Sequence, residues 1–137
     1  MPDPPPPTAE PAHLRAAVIA AAQEFNAGRY FEAHEKLEEH LDDVPDELWE
    51  LFIGLIQIAV GYHKVSQGLL SAAAAMFEKA LLKVEAFPPQ AGGINLEGLR
   101  ARVREDVEAL RQRRFDTPRF TRDPPRLQPL PGGSRRS

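Results

Sequence analysis

The chain has no cysteine. That excludes disulfides, zinc fingers, iron–sulfur sites and thiol catalysis, and it fits a reducing cytoplasm, the location expected from sequence. Long apolar runs are missing too. The most apolar stretch, Leu51 to Val60, covers ten residues and contains Gln57. It is too short to cross a membrane and reads as a core helix. Proline is almost absent from the middle of the chain: of 14, six fall in residues 1–11, five in 118–131, and only Pro45, Pro88 and Pro89 lie between. The N-terminus, Met-Pro-Asp followed by four prolines, has no basic stretch leading into an apolar one, so a signal peptide is not expected. The pairs Gly92-Gly93 and Gly132-Gly133 have no Lys-Ser/Thr partner, which leaves no phosphate-binding loop, and nothing resembles a nucleophile elbow.

What remains is a chain of 137 residues, 42% hydrophobic and 27% charged, enough for one domain around one core. Its charge is uneven. Residues 1–95 carry 14 acids and 6 bases, whereas residues 96–137 carry 6 acids and 11 bases, every one an arginine. Proline removes a backbone donor and blocks helix interiors, so the expected organisation is a Pro-rich leader (1–11), a single helical domain (12–115) and an extended Pro/Arg-rich tail (116–137).

Within the domain the apolar period is helical throughout. Leu14, Val18, Ala21, Ala22 and Phe25 form one stripe ending at Gly28, and a second helix is expected from Arg29 to Asp42. The third starts at Pro45, with Asp46 and Glu47 suiting the helix dipole, and runs to about Gln67. Ser71 is expected to cap a fourth, which Pro88-Pro89 end, and Asn95 to cap a fifth carrying Leu96, Leu99, Val103, Val107 and Leu110. A weak echo at a spacing of 40 aligns Gly28 with Gly68, Leu37 with Phe77 and Leu41 with Leu81. The expected fold is all-α: a compact bundle of about five antiparallel helices built on helical hairpins.

The residues able to carry chemistry sit in the second and third helices. At about 100° per residue, Leu37, Tyr30 and Leu41 lie within about 60° of His34, with Glu38 at about +40°. On the third helix, Phe52, Ile56, Ala59 and Trp49 cluster within about 40° of His63. If the two helices pack together, His34, Glu38 and His63 share one buried interface. Two imidazoles and a carboxylate form a three-ligand set for a divalent ion such as Zn, Mn or Fe, with Glu35 as a candidate base. Without a metal, Glu38 can orient His34 for acid–base work. A third reading is that the histidines satisfy their nitrogens on backbone and carboxylate groups and fix helix register. Asn26, Glu32 and Gln57 stand nearby as a supporting polar network, and Gln57 either joins the histidines or faces water at the edge of the stripe.

The string His34-Glu-Lys-Leu-Glu38 has glutamate where a zincin needs its second histidine, and neither histidine is preceded by glutamate three residues earlier, as a di-iron bundle requires. The acids Glu38, Glu39, Asp42, Asp43, Asp46, Glu47 and Glu50 form a solvated face, a weak cation site or a dock for the arginine tail. The stretch Arg111 to Arg136, eight arginines with Phe115 and Phe120 interleaved, suits phosphate and bases, but the acidic body repels a polyanion, so nucleic acid is not the expected partner.

Phe25-Asn26, Gly28, Tyr30-Phe31-Glu32-Ala33-His34-Glu35, Leu37-Glu38, Gly54-Leu-Ile-Gln57, Ala59, His63, Gly68 and Ala72 together resemble the DUF309 family of small bacterial and archaeal proteins. The resemblance spans about residues 14–86. The family usually has tryptophan where Leu41 stands and Gly-Asn where Gly68-Leu69 stands. It implies a helical bundle and no established activity. The expected function is a non-enzymatic binding or interaction module acting on a protein or small-molecule partner, with a homodimer as one assembly. The alternative is a small metal-dependent hydrolase-type enzyme built on His34, Glu38 and His63.

Overall fold

Two glycines set the layout of the first four helices. In the computed structural model, which describes residues 12–131, Gly28 and Gly68 both take a left-handed backbone, with φ of 83° and 77°. Each follows a helix end closed in the same way. The amide of Arg29 reaches back to the Glu24 carbonyl at 2.9 Å, and the amide of Leu69 to the Lys64 carbonyl at 2.9 Å. This is the paired-bond helix terminus that glycine favours, because a Cβ opposes positive φ. The 40-residue echo therefore marks two equivalent hairpins: α1 (Ala12–Asn26) with α2 (Tyr30–Glu38), and α3 (Asp46–Ser66) with α4 (Leu70–Val84). They are followed by α5 (Leu96–Arg111) and a short α6 (Thr117–Arg122). Consecutive helices from α1 to α5 pack on one another, and the described residues hold six helices and no strand.

Several boundaries differ from expectation for local reasons. The second helix stops at Glu38, four residues early, and Leu41–Asp43 form a separate 3₁₀ turn. Asp42 and Asp43 would burden a helix C-terminus, where the dipole repels anions, and Val44 is extended ahead of Pro45 as a pre-proline residue prefers. Ser71 lies inside α4 and does not cap it; the capping position is Leu69, without a side-chain bond. Asn95 caps α5 as expected, its side chain accepting from the Gly98 amide at 3.0 Å.

The tightest packing joins α3 to α4. Gly54 and Gly61 stand two turns apart on α3. A Cβ at Gly61 would lie 2.4 Å from the Phe77 ring, and one at Gly54 2.5 Å from a Val84 methyl. Both glycines are small so that α4 can approach. The core below is apolar and dense, with Phe25, Phe52, Tyr62 and Phe77 essentially sealed from solvent.

Packing also continues past the expected end of the domain at residue 115. Asp116 caps α6 by accepting from the Arg119 amide at 2.9 Å, and Pro118 sits in the first turn, where a missing N–H costs nothing. Beyond α6 the chain runs extended as a strap. Leu127 is buried, Ile94 and Pro129 form an isolated antiparallel bridge, and the Leu130 amide bonds the Gly93 carbonyl at 2.8 Å. Arg15 donates to the Gly93 carbonyl at 2.8 Å and to that of Leu130. Asn26 clamps the strap at both polar groups of Leu127, donating to its carbonyl at 2.9 Å and accepting from its amide at 2.8 Å. The expected leader 1–11 and the last six residues of the expected tail lie outside the described residues.

Asn26→Ala should strip both bonds from the strap and leave the Leu127 backbone without its partner. The expected loss is about 1–3 kcal/mol, read as a lower urea midpoint at unchanged slope.

Candidate functional site: an exposed aromatic triad and a buried carboxylate

The α2–α3 interface brings His34 and His63 to one aromatic ring rather than to each other. Phe31, 45% exposed, has its ring centre 4.8 Å from that of His34 and 5.3 Å from that of His63. His34 Nδ1 lies 2.6 Å from the Phe31 carbonyl, one turn back, and Nε2 lies 3.8 Å from a Glu38 carboxylate oxygen. These are the backbone and carboxylate partners of the register-fixing reading. The expected burial fails. His34 and His63 are half-buried and Glu38 is exposed, because α2 is only nine residues long and its flank toward Phe31 is uncovered. Among the described residues no group of three or more His, Cys, Asp or Glu side chains is placed to hold a metal ion, so His34, Glu38 and His63 do not assemble into the expected ligand set.

The supporting residues disperse as well. Asn26 serves the strap. Glu35 is exposed, lining a shallow depression with Glu24, Glu32, Lys36 and Glu39. Gln57 makes no hydrogen bond to either histidine: it is half-buried at the edge of the stripe, and its Oε1 is buried and, among the described residues, unpaired. Among the described residues, no arginine of the Arg-rich segment pairs with the exposed acids of the run 38–50. Arg111 binds Glu78 at 2.9 Å, Arg119 binds Glu105 at 3.3 Å, and Arg104 pairs with Glu85, all outside the acidic run 38–50.

The buried polar cluster lies elsewhere, on α5. Asp106 is 3% exposed. Its Oδ2 accepts from the Tyr62 hydroxyl at 2.6 Å and from Arg102 Nε at 3.1 Å. Burial pushes the Asp106 carboxyl above its usual range, against the lowering effect of the Tyr62 bond and the Arg102 charge. Burial likewise raises the Tyr62 phenol well above normal, reinforced by Asp106, and lifts that of Tyr30 to about 12. The phenol rings of both tyrosines meet Phe120 of α6, which stacks on Tyr62 at a centre distance of 5.9 Å. A cleft of about 250 Å³ opens above Asp106, walled by Phe115 and Phe120. A larger groove of about 490 Å³ runs beside Phe87 and Leu48 to Pro131, where the described chain ends.

Sequence reasoning passed over Asp106, yet a signal exists. On α5 it falls about 60° from Val103 and about 40° from Leu110, a lone acid on the apolar stripe. A second buried charge, Arg100, is structural: it donates to the Val84 and Phe87 carbonyls at 2.7 and 2.8 Å, closing the end of α4.

Asp106→Leu should destabilise the fold by about 2–4 kcal/mol, since it strands the Tyr62 hydroxyl and Arg102. The pH response has a definite sign. A carboxyl whose folded pKa is raised binds its proton more tightly in the native state, so its contribution favours folding at low pH and is lost as pH rises through the raised value. Urea titrations of wild type and Asp106→Asn across the acid range should differ by that term, the wild type gaining relative stability as pH falls. Parallel curves would refute it.

Residues 18–76 match the sequence profile of DUF309, described as a domain of unknown function. No curated protein matches the chain. The matched segment runs from α1 into α4 and contains the two glycine turns, the Phe31 triad and Tyr62. Over residues 18–76 the chain is similar to the DUF309 family.

Proposed function

We propose that the protein is a non-enzymatic interaction module that docks a basic segment of a partner protein on its α2–α3 face. The observation that supports this most is Phe31: a large aromatic ring, 45% exposed, fixed between two imidazoles instead of turned into the core. Exposed aromatics held rigid by neighbours make effective anchors, because little side-chain entropy is lost on contact. Glu32, Glu35 and Glu38 of the same short helix, and Glu39 just after it, are exposed around it, with Lys36 as the one base of α2. This charge favours a cationic partner and disfavours a nucleic acid or an anionic bilayer. No described helix is long and apolar enough to cross a membrane.

A photo-crosslinker placed at position 31 in cells should capture a discrete partner through a Lys/Arg-rich segment, identified by peptide mapping. The same group at Leu82, exposed on α4, should not. Identical adducts from both positions, or adducts mapping to acidic segments, would overturn the reading. Phe31→Ser should abolish the captured complex without changing the thermal midpoint by more than about 2–4 °C, the shift expected for an exposed site.

A further inference from the structure

The cleft above Asp106 is separate from the Phe31 face and is built from parts of the chain that follow the matched family segment. Its lining is Arg102, Asp106 and Ala109 from α5, Arg114 to Asp116 from the turn, and Arg119 and Phe120 from α6. Formally it holds three cations and two anions. Each of the two anions is engaged through one oxygen. Asp116 caps α6 through the Arg119 amide, and Asp106 accepts both of its bonds on Oδ2.

The cations are less committed. Arg102 uses only Nε on Asp106, and among the described residues its two terminal nitrogens donate no hydrogen bond to the protein. Its side chain is 14% exposed, so these donors are held at the floor of the cleft. Arg114 and Arg119 stand at the rim, their side chains 59% and 43% exposed. Arg119 reaches Glu105 at 3.3 Å and Asp123 at 3.8 Å, and Arg114 reaches Gln112 at 2.6 Å and Glu108 at 3.9 Å, contacts that solvent screens.

We infer that this cleft is a binding site for a small organic carboxylate with a flat apolar body. A carboxylate is planar and presents two oxygens, which matches the paired terminal nitrogens of a guanidinium held from behind by Asp106. The arginine is oriented before any ligand arrives, so little side-chain entropy is lost on binding. Phe115 and Phe120, with ring centres 5.8 Å apart, line the cleft and supply apolar surface that a bare inorganic ion would not use. At roughly 30 Å³ per water, the space of about 250 Å³ holds about eight waters, which suits a ligand of one ring and one carboxylate. Tyr62 has no direct place in the contact. It is a positioning residue that holds Asp106, which in turn aims Arg102.

The test is calorimetric titration of the full chain with benzoate, inorganic phosphate and benzylamine. Benzoate should bind at one site, and benzylamine, which has a similar body and the opposite charge, should not. Replacing both rim arginines, Arg114→Gln with Arg119→Gln, should weaken benzoate on the order of tenfold, equivalent to about 1.4 kcal/mol, with the helical circular-dichroism signal unchanged. Arg111→Gln, whose partner is Glu78 outside the cleft, should leave the affinity within about twofold. Three results overturn the inference: no saturable benzoate binding up to about 20 mM, phosphate binding tighter than benzoate, or a rim double variant that binds like wild type.

Discussion

One hydrogen bond decides how the second half of the molecule sits on the first. The Tyr62 hydroxyl lies in the centre of an otherwise apolar core, and a phenol buried there without a partner would cost more than its packing returns. Asp106 on α5 supplies the acceptor at 2.6 Å, and Arg102 neutralises the carboxylate this brings inside. Such a network is unforgiving, since each member is tolerable only while the others are present. It fixes the rotation of α5 about its axis, which sets where Arg100 meets the end of α4 and where the chain leaves for α6. The matched family segment ends at residue 76, so Tyr62 belongs to it and its acceptor does not.

Much of the fold was legible because it rests on periodicity and on glycine. The 40-residue echo, faint in side chains, is sharp in the backbone: two left-handed glycines and two identical returning hydrogen bonds. Five helices follow from stripes of Leu, Val, Ala and Phe. The sixth was hidden by treating Pro118 as a breaker, although Asp116-Thr-Pro is a sound helix opening. The strap was hidden more deeply. Its attachment relies on the Asn26 and Arg15 side chains reaching backbone groups a hundred or more residues away, and on pairing with Gly93 and Ile94, which no local pattern encodes.

The site shows the same division. Angular arithmetic placed His34 and His63 on facing stripes, and both do meet Phe31. It could not show that a nine-residue helix leaves a flank open, so the trio expected in a dry interior is covered unevenly, with the His34 side chain largely enclosed and Glu38 in solvent. The polar interior formed instead around Asp106. A carboxylate between Glu105 and Val107 looks like one more surface charge until its angle to Val103 and Leu110 is worked out. Part of the uneven charge of the chain resolves locally: Arg100, Arg104, Arg111 and Arg119 meet Glu97, Glu85, Glu78 and Glu105, and Glu32 and Glu35 of α2 are exposed.

The Asn26 clamp joins positions 101 residues apart. Closing a loop of that size is entropically costly, whereas the two hairpins need only neighbours close in sequence. The order of assembly follows: the glycine-ended hairpins form early, α5 docks once Tyr62 is in place, and the strap comes last. Amide exchange would then be fastest along residues 123–131 and slowest along α3, with protection lost from the C-terminal end inward.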